Sequence, residues 1–130
     1  MTTTRKVIST PLGPQAIGPY SQAVRAGNLV FVSGQIALDP DTGKLIEDLS
    51  IASQTRRVLL NVQGILNAAG LYVSHVVKVT VYLDDIKTFQ EMNAVYAEFF
   101  SDTLPARAAV EVAALPLGVA IEIDCIAVAD

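Results

Sequence analysis

Two consecutive apolar periods do most to limit what this chain can fold into. From Ser50 to Gly70, apolar side chains recur at Ile51, Val58, Leu59, Val62, Ile65, Leu66 and Ala69, the spacing of one helical face. Ser50 or Asp48 is placed to cap this helix and Gly70 to end it. From Val76 to Leu83 the period falls to two, with Val77, Val79, Val81 and Leu83 on one side and Lys78, Thr80 and Tyr82 on the other. That is the pattern of a half-buried strand. A helix running directly into a strand requires a mixed architecture.

The flanking segments extend the pattern. Leu29 to Gln35 is rich in β-branched and aromatic residues behind the turn signal Gly27-Asn28, and reads as the second strand of a hairpin. Asp39 to Gly43 is a cluster of turn residues that closes this β section. Asp85 is placed to cap a second helix, with Phe89, Met92, Tyr96, Phe99 and Phe100 on one face. Arg107–Ala113 and Val119–Val128 read as two strands joined through Leu115-Pro116-Leu117-Gly118. Residues 1–130 are thus expected to form one α+β domain, a mixed β-sheet with both helices packed on one face. Two helical crossovers imply some parallel pairing. The opposite sheet face would be bare in a monomer, and with 52% hydrophobic residues in the chain a self-associating protein is expected.

Charge and cysteine usage exclude several functions. A net charge of -4, with no basic stripe, argues against nucleic acid as a partner. No apolar run reaches the roughly 18 residues of a membrane helix, so no membrane partner is expected. The single Cys125 cannot form an intrachain disulfide, and no long apolar run follows Met1–Lys6, which together point to the cytoplasm. His75 and Cys125 stand alone, without the spacing of a metal site; no metal and no cofactor are expected. His75 reads as a loop residue and Cys125 as a small core residue. Leu12-Gly13-Pro14 and Ile17-Gly18-Pro19 lack the strand–loop–helix setting of a phosphate loop.

What remains is a set of polar residues in apolar surroundings: Tyr20, Ser33, Asn93, Arg107 and Glu122. Arg107 opens a strand, where its guanidinium either pairs with Glu111 or Asp102 at the surface or meets a planar carboxylate ligand. Glu122 and Asp124 project from one side of an otherwise apolar strand, so at least one of them must reach water or a pocket. Gly34, beside Ser33, marks a bulge or a close approach to a ligand.

The segments Ala16-Ile17-Gly18-Pro19-Tyr20-Ser21-Gln22-Ala23, Val32-Ser33-Gly34-Gln35-Ile36, Pro105-Ala106-Arg107 and Ile121-Glu122-Ile123 together resemble the RidA/YjgF/L-PSP family along nearly the whole chain. The resemblance implies a chorismate-mutase-like fold and a homotrimer with clefts between neighbouring subunits. It also implies a cofactor-free deaminase that hydrolyses enamines and imines, such as 2-aminoacrylate and 2-aminocrotonate, to 2-keto acids and ammonia. In that picture Arg107 grips the substrate carboxylate and Glu122 positions or activates water. Tyr20, Ser33, Gly34, Asn93 and Ala109 line the cleft, Ala109 standing where archetypal members carry a cysteine. A non-catalytic module binding 2-keto acids would use the same arginine. A ribonuclease or translation inhibitor, which some family names record, would want basic or aromatic platforms that this chain lacks.

Overall fold

The computed structural model describes residues 5–129. Strands β1 (Arg5–Ile8), β2 (Ala23–Ala26) and β3 (Leu29–Gln35) are followed by helix α1 (Ile51–Ala68), strand β4 (Val76–Leu83), helix α2 (Phe89–Phe99) and strands β5 (Ala106–Glu111) and β6 (Ile121–Val128). The six strands form one sheet in the order β1-β2-β3-β6-β4-β5. Only β4 and β5 pair in parallel; the other neighbours are antiparallel. The crossover through α1 carries the chain from β3 to β4, but β6 inserts between them. The α+β class, the mixed sheet and the two helices follow the sequence reading.

α1 forms where its signals place it. The Ser50 hydroxyl accepts the Ser53 N–H at 3.2 Å, answering an otherwise orphaned donor of the first turn. At the other end the Leu71 N–H reaches Leu66 O at 2.9 Å and the Gly70 N–H reaches Asn67 O at 3.0 Å, the paired closure of a Schellman end. Val58, Leu59, Val62, Ile65 and Leu66 are buried against Val30 and Val32 of β3, Val79 and Val81 of β4, and Ile121, Ile123 and Cys125 of β6. Burying each such side chain contributes about 1.5–3 kcal/mol before the cost of ordering it.

Four expectations need correction. Val77 does not share the buried side of β4: a bulge between Val76 and Lys78 pushes it outward to 45% exposure, and Val76 is buried instead. Asp85 accepts the Lys87 N–H at 2.9 Å and so caps a short 3₁₀ turn, Ile86–Thr88, that leads into α2. The aromatic face of α2 is narrower than its spacing suggests. Met92, Val95, Tyr96 and Phe100 are buried, while Phe89 and Phe99 pack at the margin. The last two strands are shorter than expected, because the 3₁₀ turn Pro116–Gly118 takes up the chain between them. β1 was not anticipated.

The sheet face away from the helices carries Val7, Val24, Phe31 and Ile126 in one cross-strand row. Val7 and Phe31 are exposed on it. Among the described residues no helix is long and apolar enough to cross a membrane.

Gly64 on α1 marks where the loop before β2 presses on the helix. A Cβ there would overlap the carbonyl oxygen of Leu12. Gly→Ala in an open helix gains about 1 kcal/mol, so the sign of this substitution is diagnostic. Gly64→Ala is expected to cost on the order of 1–3 kcal/mol instead. A thermal unfolding midpoint lower by roughly 3–10 °C would show it.

Candidate active site

Two groups of polar side chains emerge, and the sheet keeps them apart. The first lies in a depression of about 450 Å³ that Tyr20, Ser33, Gly34 and Glu122 line together with Ile36 and Pro116. Strand β3 makes it possible by breaking register between Val32 and Gln35. Ser33 is held at this break: its N–H donates to Gln22 O at 2.9 Å and its hydroxyl to Ser21 O at 2.5 Å. Gly34 leaves the space that Glu122 fills. A Cβ at Gly34 would collide with the Glu122 carboxylate, lying 2.9 Å from its Cδ.

The loop that presents Tyr20 is fastened by one buried amide. Gln22, 5% exposed, accepts the Thr10 N–H at 2.7 Å. Its Nε2 donates toward Thr10 O at 2.9 Å, Gly13 O at 3.1 Å and Pro14 O at 2.7 Å. Buried amides repay such full satisfaction, since an unmade bond costs about 1–3 kcal/mol. Tyr20 itself is half-exposed, and its hydroxyl accepts the Ile17 N–H at 3.3 Å. Asn61 performs a similar task on the far wall, donating to Ile36 O at 3.2 Å and Leu38 O at 2.9 Å.

Burial raises the pKa of Glu122 above the ordinary glutamate value, and the neighbouring charge of Asp124 adds to the rise. Both project from the same side of β6, as their spacing required. Asp124 accepts the Tyr82 hydroxyl at 2.9 Å, which leaves Glu122 facing the depression.

The second group sits where β5 meets α2. Arg107 is paired in register with Val79 and Ala109 with Val81, so both face the helices. The Arg107 guanidinium donates through Nη1 to Asn93 Oδ1 at 2.6 Å. It also lies 4.6 Å from the ring centroid of Tyr96 and 5.3 Å from that of Phe89. Neither acidic partner considered from the sequence is used. Glu111 accepts the Ile86 N–H at 2.9 Å, and among the described residues no carboxylate pairs with Arg107.

The structure thus brings Tyr20, Ser33, Gly34 and Glu122 together and, separately, Asn93, Arg107 and Ala109. Register explains the division. Val81 of β4 is flanked by Ala109 and Ile123, so Arg107 and Ala109 share the face of Ile123 while Glu122 points from the other. Sequence reasoning missed the bracing amides Gln22 and Asn61, and with them Gln54, which donates to Leu49 O at 2.8 Å and accepts the Ala120 N–H at 3.0 Å. A signal existed for two of them: Gln54 and Asn61 fall on the apolar stripe of α1, three residues after Ile51 and Val58 respectively.

The remaining candidates stay structural. His75 accepts the Tyr72 N–H through Nδ1 at 3.0 Å within a 3₁₀ turn. Cys125 is 3% exposed, and burial pushes its thiol up to about 12. Among the described residues no group of three or more His, Cys, Asp or Glu side chains is placed to hold a metal ion.

A family model described as Endoribonuclease L-PSP matches residues 10–129. The chain is 53% identical over 123 residues to a RutC family protein of Pyrococcus horikoshii, a match covering 95% of this chain and 97% of that relative. It is 48% identical over 124 residues to the 2-iminobutanoate/2-iminopropanoate deaminase of Bos taurus, covering 95% and 90%. The crystal structure of E. coli TdcF with bound serine is similar to it with a TM-score of 0.90 at 44% identity, covering 96% of this chain and 99% of that one. The family match, the sequence identities and the superposition agree, and the chain belongs to the L-PSP family, in which curated members are named imine deaminases.

Proposed function

We propose that this protein hydrolyses reactive enamine and imine acids, of the 2-aminoacrylate and 2-aminocrotonate type, to 2-keto acids and ammonia. The site is a cleft completed between neighbouring subunits of a cytoplasmic homotrimer. One observation carries the reading: Arg107 is held by an amide oxygen and two ring faces, so its charge is left for a ligand carboxylate. A guanidinium fork binds such a group through two parallel N–H bonds. The placement of Arg107 and Glu122 on opposite faces supports completion by a second copy, since one chain cannot present both to one small substrate.

The chemistry needs little help. An enamine takes a proton on the carbon β to its carboxylate, gives one up from nitrogen, and so becomes an imine. Water adds to the imine carbon, and the carbinolamine collapses to a ketone as its C–N bond breaks and ammonia leaves. Arg107 would fix the carboxylate, and Glu122 would take a proton from the attacking water and return it to the departing nitrogen. A group that exchanges protons near neutrality does this best, and the upward shift of Glu122 moves it in that direction. The relative named as an imine deaminase and the relative with bound serine are consistent with small carboxylate substrates. A non-catalytic 2-keto acid module would bind through the same arginine and is separated by turnover alone. For ribonuclease action the chain offers a net charge of -4 and a histidine engaged in its own turn.

The test is release of 2-keto acid from 2-aminoacrylate generated by a serine dehydratase. Wild type should accelerate release, and Arg107→Ala should lower kcat/KM on the order of 10²–10⁴-fold, the loss of two charge-assisted bonds at about 1.5–3 kcal/mol each. A loss below threefold would remove Arg107 as anchor. As proton acceptor Glu122 must be ionised, so kcat/KM should fall as pH drops through a pKa above the ordinary glutamate range. Glu122→Gln should abolish that limb along with most of the rate; an unchanged profile would assign the limb elsewhere. Gly34→Ala should fold normally, because the clash is with the end of a flexible side chain, yet lose on the order of 10- to 100-fold in rate by displacing the carboxylate.

A further inference from the structure

Arg107 projects from an edge strand, and everything that holds it comes from one flank of α2. Phe89, Asn93 and Tyr96 are spaced four and three residues apart on that helix, which stacks them in a single row. Asn93 takes one N–H of the guanidinium. The two rings take its face, with Tyr96 the nearer at 4.6 Å.

Tyr96 is built as a rigid platform. It is 6% exposed, and its other neighbour is the ring of Phe100, with centroids 4.7 Å apart at 35°. Its hydroxyl is buried and makes no hydrogen bond of good geometry, although it lies near enough to the Arg107 guanidinium to feel its charge, so little that holds the fold together would be lost with that oxygen. Burial raises the pKa of the phenol by more than the neighbouring Arg107 guanidinium lowers it, so the phenol stays neutral and leaves the charge of Arg107 unoffset. A carboxylate in the same place would orient the guanidinium equally well but would occupy the N–H groups that a ligand needs.

We infer that Tyr96 is a positioning residue, whose ring face fixes the plane in which Arg107 presents its remaining N–H groups to a carboxylate ligand. The inference rests on the proposed role of Arg107 as the anchor. A free arginine side chain loses rotamer freedom when it captures a ligand, whereas one already held against a ring has lost it beforehand. The effect therefore falls on substrate and product affinity and leaves the chemical step alone. Its size is roughly two- to tenfold, the value of immobilising one rotamer-rich side chain.

The experiment is a substitution series in the full-length protein. Tyr96→Phe keeps the ring and removes the hydroxyl. Replacing that phenylalanine in turn by mono-, di- and trifluorinated phenylalanine drains the negative potential of the ring face at nearly constant shape. KM and kcat are measured for imine hydrolysis, and Kd for 2-ketobutyrate by calorimetry. Tyr96→Phe should hold KM within about twofold of wild type, with a thermal midpoint no lower. Successive fluorines should then raise KM and Kd together, by roughly two- to tenfold across the series, with kcat and the thermal midpoint unchanged. Flat KM and Kd across the series, or a fall in kcat at constant KM, would overturn the positioning role. Wild type that binds 2-ketobutyrate without accelerating hydrolysis would defeat the proposed reaction, and the Kd series would still decide Tyr96. Wild type that binds no 2-keto acid would overturn both.

Discussion

The two-sidedness of β6 governs the rest of this structure. It is the strand paired on both sides by the long strands β3 and β4, and its side chains alternate without a break. Ile121, Ile123, Cys125 and Ala127 are buried under the helices, and Glu122, Asp124, Ile126 and Val128 are turned away from them. Because the side-chain period of a strand is two, a slip of one residue would bury both carboxylates and expose the core row. That penalty pins the register of the whole sheet. Once it is pinned, one face belongs to α1 and α2, and among the described residues neither helix packs on the other.

The same alternation separates the charges that matter. Had Arg107 and Glu122 shared a face at close range, they would have formed an ion pair and neutralised each other. Placed on opposite faces, the guanidinium rests on neutral groups and the carboxylate sits partly desolvated beside Asp124. Each is thereby kept in the state that a bound carboxylate substrate and a transferable proton would call for. Bracing by neutral amides serves the same end. Gln22 and Asn61 tie down the loops around Glu122 without adding any charge near it.

Much of this was legible in the residues. The period change at Gly70 gave α1 and β4, the turn at Gly27-Asn28 gave the β2–β3 hairpin, and the paired acids on β6 announced a face that does not pack into the core. What escaped did so for physical reasons. β1 is four residues long with three of them exposed, too short for a period to declare itself. The bulge at Val77 is set by pairing with a strand nearly fifty residues away, which no local pattern encodes. The site residues could be named from motifs, but their division between two faces depends on β4 being flanked by β5 on one edge and β6 on the other. That is a fact of topology. Gln22 looked like any loop glutamine, because the carbonyls it binds are backbone groups and leave no mark in the sequence.

The burial of Cys125 has a bearing on the company this protein is proposed to keep. Enamine and imine acids are electrophiles once protonated, and thiolates are the side chains they trap most readily. Cys125 is the only cysteine in the chain. It lies inside the core with its thiol pushed up to about 12, and position 109, which the proposed cleft would include, is an alanine. A catalyst of the proposed kind, so constructed, would offer its own substrates no exposed sulfur nucleophile to alkylate.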